Sequence, residues 1–263
     1  MRNLRWLALG TVVLVFVAAS STDLARGADD GAGAGTVTAP QNTAIDPVPR
    51  PGAWMQRHER INERAKQGDV DLLFIGDSIT QGWETAAPRG GKDVWAKYYG
   101  SRKAMNAGIS GDRTQHVLWR LENGNIDGIK PKLAVIMIGT NNAPEGRGPS
   151  NTAEEIADGI KAIVGRLREK LPETKILLLA IFPRDEKPET ATREKIAKAS
   201  ELASQMADDK MIFYMDIGNK FLSEDGTLPK DIMPDSLHPN AKGYEIWADA
   251  IEPKVAELLA EKK

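Results

Sequence analysis

The sequence predicts a doubly wound α/β domain: a parallel sheet held between helices in a three-layer α/β/α sandwich. Three observations carry that prediction. Short continuous apolar runs such as Leu72-Leu73-Phe74-Ile75 and Leu133-Ala134-Val135-Ile136-Met137-Ile138 recur along the chain, the pattern of strands buried on both faces. Between them lie stretches with apolar residues at helical spacing, as in Ile156, Ile160, Ile163, Val164 and Leu167. The two kinds of segment alternate with short connections, and alternation of that sort builds parallel sheets covered by helices.

Taken in order, residues 1–28 read as a signal peptide rather than as part of the fold. Arg2 and Arg5 precede an apolar run from Trp6 to Ala19, and Ala25-Arg26-Gly27 fits a small-residue cleavage site, with a site near Ser20 as the other option. The run is short against the ~20 apolar residues of a membrane span, so export is expected, to the periplasm or outside, with an uncleaved N-terminal anchor as the alternative. Residues 29–52 are rich in Ala, Gly, Thr and Pro and read as a flexible linker. Residues 53–263 form the folded domain, long enough to bury one core. Helices are expected at Trp54–Gln67, Asp93–Tyr99, Thr114–Leu121, Ala153–Leu171, Thr192–Asp208 and Ala241–Glu261. Strands are expected at Leu72–Ile75, Ala104–Ala107, Leu133–Ile138, Ile176–Ile181 and Met211–Met215.

Composition excludes several classes of function. Losing Arg2, Arg5, Arg26 and Asp23 with the leader moves the net charge from -2 to about -4, and no basic stripe remains, so neither nucleic acid nor an anionic membrane surface is an expected partner. With no cysteine, disulfides, thiolate metal sites and cysteine nucleophiles are excluded.

Each strand delivers small polar residues to one rim, the carboxyl edge of the sheet, where ligands bind in open α/β folds. The first gives Gly76-Asp77-Ser78, the second Asn106-Ala107-Gly108, the third Gly139-Thr140-Asn141-Asn142. Asp235-Ser236-Leu237-His238-Pro239 follows the last strand. Taken alone, Ser78 reads equally as a helix N-cap. With His238 to take its proton and Asp235 three residues earlier to orient the imidazole, it reads as a nucleophile. Ser78 N–H, Gly108 N–H and the Asn141 amide are the available oxyanion donors; Gly108 suits the role because it lacks a side chain to block substrate.

On these residues the sequence resembles the SGNH, or GDSL, hydrolases. Ser78 in Gly-Asp-Ser-Ile-Thr, Gly108, Asn141 in Gly-Thr-Asn-Asn and His238 in Asp-Ser-Leu-His-Pro match the family's four named residues in order. The stretch Gly111-Asp112-Arg113-Thr114-Gln115-His116-Val117-Leu118-Trp119-Arg120-Leu121, with Ile129-Lys130-Pro131-Lys132, is similar to the platelet-activating-factor acetylhydrolase catalytic-subunit branch. The resemblance implies a flavodoxin-like sheet and a Ser-His-Asp esterase without metal or other cofactor. Asn142 stands where many members carry Asp, and the export signal departs from the cytosolic lipid enzymes.

Gly108-Ile109-Ser110-Gly111-Asp112 lacks the final glycine of a nucleophile elbow, which makes Ser110 a loop residue. His58, among charges on a helix, reads as solvated, and His116 as structural. Asp77 reads as a hydrogen-bond partner of loop backbone. Trp83, Trp95, Tyr98 and Tyr99 either wall the substrate site or pack helices onto the sheet; Trp83 and Asn142 are the nominated substrate-binding residues. The expected function is hydrolysis of small acyl esters, acetyl above all, on O-acetylated carbohydrates. A lipid or lysophospholipid ester is the alternative substrate, and a non-catalytic carbohydrate-binding module is the alternative of another class.

Overall fold

Five strands, every one parallel to its neighbours, set the plan of the molecule. The computed structural model describes residues 41–145 and 150–260. Through them run α1 (Ala53–Lys66), β1 (Leu72–Gly76), α2 (Ser78–Gln81), α3 (Lys92–Tyr99), β2 (Ala104–Gly108) and α4 (Thr114–Glu122). There follow β3 (Leu133–Met137), α5 (Ala153–Lys170), β4 (Lys175–Leu179), α6 (Ala191–Ser204), β5 (Ile212–Met215) and α7 (Ala241–Leu258). The strand order is β2-β1-β3-β4-β5, the doubly wound α/β/α architecture the sequence predicts.

The strands alternate between two cores because successive side chains point to opposite faces. Leu73, Ile75, Ala134, Ile136, Ile176 and Leu178 face the core built with α1, α4, α5 and α6. Leu72, Phe74, Leu133, Val135, Leu177 and Leu179 face the core built with α3 and α7. Each helix meets the sheet along its apolar stripe: Ile156, Ile160, Ile163 and Leu167 on α5 are at most 2% exposed, as are Trp247, Ile251 and Val255 on α7. Truncating one such side chain to Ala costs ~2–5 kcal/mol.

The winding places the site. The chain runs from β1 to β2 on one side, then crosses to β3 on the other, so the strand order reverses at β1. The crevice at such a reversal lies beyond the carboxyl ends of the strands. Register aligns those ends: Gly76 sits opposite Gly108 on β2 and opposite Met137 on β3. Ser78, Gly108 and Asn141 therefore leave the sheet at nearly one level.

Several boundaries differ from the sequence reading. The fourth strand ends at Leu179 rather than Ile181, and α6 ends at Ser204 rather than Asp208. The linker reading of residues 29–52 is corrected for its second half. Residues 43–45 form a 3₁₀ turn with Ala44 fully buried; Thr114 Oγ1 donates to Ala44 O at 2.8 Å, and Val48 N to Gln115 O at 3.4 Å. Docking through a small side chain and backbone carbonyls leaves no mark in hydrophobicity, which is why composition suggested a tether. The leader reading of residues 1–28, and residues 29–40, lie outside the described residues.

Candidate active site

The nucleophile candidate is presented by a tight turn from β1 into α2. Gly76 is obligatory there, since a Cβ would collide with Thr80 and with Met137 O. Asp77 caps α2, its Oδ1 accepting the Ile79 N–H at 2.9 Å. That places Ser78 first in the helix, where its own N–H has no intrahelical acceptor. From the far end of the chain, Tyr244 Oη on α7 donates to Ile79 O at 2.6 Å and holds the turn down.

His238 reaches this serine across 160 residues of sequence, with Nε2 2.8 Å from Ser78 Oγ. Its Nδ1 lies 2.6 Å from Asp235 Oδ2. A carboxylate only accepts, so Nδ1 carries the proton and Nε2 is left to accept from the hydroxyl. Asp235 is placed by its own loop: Oδ1 accepts the N–H groups of Leu237 at 3.1 Å and His238 at 2.7 Å. Partial burial works to raise its pKa, but the hydrogen bonds from His238 and Leu237 prevail and hold it below the ordinary value. The side chains stay 39% (His238) and 58% (Asp235) exposed, so backbone donors rather than burial fix the carboxylate.

The candidate anion donors are arranged less simply. The Asn141 amide Nδ2 donates to Asp112 O at 2.9 Å, which orients it and leaves its second hydrogen. The Gly108 N–H is engaged by Asn106 Oδ1 at 2.9 Å, while Asn106 Nδ2 donates to Thr80 O. Packing, rather than substrate access, requires glycine here: a Cβ on Gly108 would run into the backbone of Thr80 and Gln81.

Beneath the rim lies a buried polar layer. Asp112 is fully buried and accepts from Arg120 Nε at 2.8 Å and Trp54 Nε1 at 2.5 Å; burial opposes both charges and their contact offsets it. Burial pushes Asp77 up to about 7, the Ile79 N–H and Arg184 opposing and Asp112 adding to the rise. His116 accepts the Arg113 N–H on Nδ1, and burial with Arg50, Arg113 and Arg120 drives its pKa down to about 3. It is a neutral structural imidazole, as read from the sequence.

Three other readings are revised. His58 is 4% exposed rather than solvated; it stacks on Trp54 with ring centroids 5.7 Å apart and bonds Asn62 and Asn125, and burial, then Arg120, lower its pKa. Trp83, nominated to bind substrate, is fully buried among Phe74, Tyr99, Tyr244 and Trp247; a 3₁₀ turn at Gly82–Glu84 swings its ring into the core. Asn142, nominated likewise, is also fully buried. Its Oδ1 accepts the Thr114 N–H, and its Nδ2 faces Thr114 Oγ1, Gln115 Oε1 and Asn151 Oδ1 at 3.0–3.1 Å. An aspartate there would have no proton for these acceptors.

Sequence reasoning brought Asn106 and Asp112 to the rim without a role for either, and passed over Arg120 as the buried partner of Asp112. Arg120 carried a signal: it lies among Val117, Leu118 and Leu121 on an apolar stretch of helix, where a charge needs a buried partner. Asn106, inside a strand, gave none.

Comparison with known proteins identifies the family. A model of the GDSL-like lipase/acylhydrolase family matches residues 74–246. Platelet-activating factor acetylhydrolase IB subunit alpha1 of Homo sapiens is 34% identical over 220 residues, covering 83% of this chain and 90% of its own. A solved GDSL-like lipase from Bacteroides thetaiotaomicron superposes with a TM-score of 0.60 at 20% identity, over 77% of this chain and 97% of its own. An acetylxylan esterase from Geobacillus stearothermophilus does so with a TM-score of 0.55 at 20% identity, over 73% and 94%. These two likenesses speak to the fold, whereas the family match and the closer human relative speak to descent. The binding-module reading is therefore set aside: this chain belongs to the GDSL-like lipase/acylhydrolase family and is a carboxylic ester hydrolase.

Proposed function

We propose that the chain is an exported serine esterase that removes small acyl groups, acetyl above all, from O-acetylated carbohydrates. The observation that carries the mechanism is the unbroken line from Ser78 Oγ to His238 Nε2 at 2.8 Å and from His238 Nδ1 to Asp235 Oδ2 at 2.6 Å. In this reading His238 takes the hydroxyl proton as Ser78 Oγ attacks the ester carbonyl, and Asp235 stabilises the imidazolium that forms. The oxyanion is received by Ser78 N–H and the free Asn141 hydrogen; Gly108 N–H joins them by sharing the hydrogen it gives Asn106. His238 then returns the proton to the departing alcohol, and a water attacks the acyl-serine by the same route.

Support for the substrate is chemical. No long insertion separates the loops that bear these residues, so a fairly open cleft suits a bulky alcohol with a small acyl group. The leader-like start of the chain supports export, and no helix among the described residues is long and apolar enough to cross a membrane. A lipid acetyl ester is the second reading, favoured by the name of the human relative.

The test is hydrolysis of p-nitrophenyl acetate, acetylated xylo-oligosaccharides and p-nitrophenyl esters of lengthening acyl chain by the purified protein and its Ser78→Ala variant. Ser78→Ala is expected to lose turnover and labelling by a serine-directed phosphonate while keeping its fold. Hydrolysis persisting in that variant overturns the mechanism; preference for long chains or acetyl phospholipids overturns the carbohydrate assignment.

A further inference from the structure

Arg120, Arg193 and Arg184 are three of the arginines with little exposure near the rim, and they are bonded very differently. On Arg120, Nε donates to Asp112 Oδ2 at 2.8 Å, Nη1 to Asn125 Oδ1 at 2.5 Å, and Nη2 to Gly76 O at 3.4 Å. On Arg193, Nε donates to Arg184 O at 2.9 Å, Nη1 to Gly226 O at 2.6 Å and Nη2 to Asp185 O at 2.7 Å. These two use all three nitrogens and are structural. Arg184 is the exception. Its Nη1 donates to Thr140 O at 3.0 Å and Thr140 Oγ1 at 3.2 Å. Its Nε is buried without a hydrogen-bond acceptor, Asp185 Oδ1 standing 3.7 Å away. A buried donor left without a partner is costly, and such a group calls for an explanation beyond packing.

Its neighbours supply one. Thr140 is the residue before Asn141, and Gly139, with φ +127°, already bends the chain there. The next residue of the same turn, Asp185, donates its backbone N–H to Ser236 O at 2.8 Å. Ser236 lies between Asp235 and His238. Both Asp185 (φ 64°) and Ser236 (φ 57°) are held in the left-handed region that side-chain-bearing residues avoid, so the contact joins two constrained backbones. Arg193 pins the carbonyls of Arg184 and Asp185 from behind. One turn thus grips the loop that bears Asn141 by a side chain and the loop that bears Asp235 and His238 by its backbone. The guanidinium also acts on the buried carboxyl of Asp77, next to Ser78.

We propose that Arg184 is a positioning residue for ester hydrolysis: through Thr140 it sets the Asn141 amide at a fixed place relative to the Ser78–His238 pair. The Arg184–Asp185 turn is the strut between the two loops. The proposal rests on the assignment of Asn141 as an oxyanion donor made above.

The experiment is a double-mutant cycle on p-nitrophenyl acetate with the full chain, using Asn141→Ala, Arg184→Gln, their combination, and Arg184→Lys. Asn141→Ala is expected to lower kcat about a hundredfold. Arg184→Gln is expected to lower kcat about tenfold with KM nearly unchanged, and Arg184→Lys to recover most of that loss. The double variant is expected within about twofold of Asn141→Ala alone, because the arginine acts through the amide that is already gone. Losses that multiply, a loss confined to KM, or no recovery by lysine would each overturn the proposal. A loss below about fivefold in Asn141→Ala would instead overturn the donor assignment itself. Should Arg184→Gln fail to fold, Thr140→Val removes one acceptor at constant shape and carries the same cycle, with an expected loss of about threefold and the same non-additivity.

Discussion

The chain holds two aspartate–histidine pairs a few residues apart, and their fates are opposite. Asp235 and His238 sit in a loop open to water, 58% and 39% exposed, with the carboxylate on one ring nitrogen and Ser78 on the other. Asp112 and His116 approach within 3.9 Å, but they are 0% and 12% exposed, the carboxylate is taken by Arg120 and Trp54, and the ring accepts a backbone N–H. Identical residue types thus give an imidazole that joins a carboxylate to a serine in one place and one locked against backbone in the other. A histidine can work as a base only where a positive charge on it is tolerated, and burial beside three arginines forbids that for His116.

The sharpest way to break this contrast is to remove each imidazole in turn. His238→Asn is expected to lower kcat by about four orders of magnitude, the scale seen when a triad fails as a unit. His116→Asn is expected to change it less than about fivefold, since His116 bonds Arg113 N–H and not Ser78. Steady-state kinetics on one acetyl ester decides it, and comparable losses would dissolve the distinction.

The carboxylates should divide the other way, by stability. Asp112→Asn leaves Arg120 charged, fully buried and without its ion pair, a change expected to cost about 3–5 kcal/mol in urea denaturation. Asp235→Asn, at an exposed pair, is expected to cost less than about 1 kcal/mol of stability while lowering kcat about a thousandfold or more.

The smallest effect sharpens the comparison by pH. The folded state keeps His116 neutral down to about 3, against the ordinary 6.5 of a histidine, so the unfolded chain binds the extra proton between those values. Stability from this group is therefore present at neutral pH and is lost as pH falls from 6.5 toward 3. Asp77, pushed up from 3.8 to about 7, works the opposite way and loses stability as pH rises through that window, so the whole protein masks the slope. The difference between wild type and His116→Gln isolates it. Between pH 7 and pH 5 the wild type is expected to lose about 2 kcal/mol more than the variant, and parallel curves would show His116 titrating normally.

The layered sheet and the Ser78, Asp235 and His238 loops were legible because they rest on strong local signals: unbroken apolar runs, and polar residues where those runs stop. Helix α1 held a signal that was missed. Trp54, His58, Ile61 and Ala65 fall at helical spacing on one buried face, and attention to the charges between them hid the stripe. Trp83 was ambiguous for a different reason. It lies past the end of a four-residue helix, where neither period applies, and only the 3₁₀ turn decides which way the ring faces. The docking of residues 41–52 was illegible in principle, since backbone carbonyls in every sequence look alike.

The arrangement of Ser78 and His238 has a bearing on how the protein is made. The serine turn is translated early, but its partner comes 160 residues later, and the tyrosine that clamps the turn comes later still. At bacterial or eukaryotic elongation rates of about 5–20 residues per second, that is a delay of roughly 8–32 s. A nascent chain, or one cut short before His238, therefore holds the Ser78 hydroxyl without the imidazole that it meets in the folded protein.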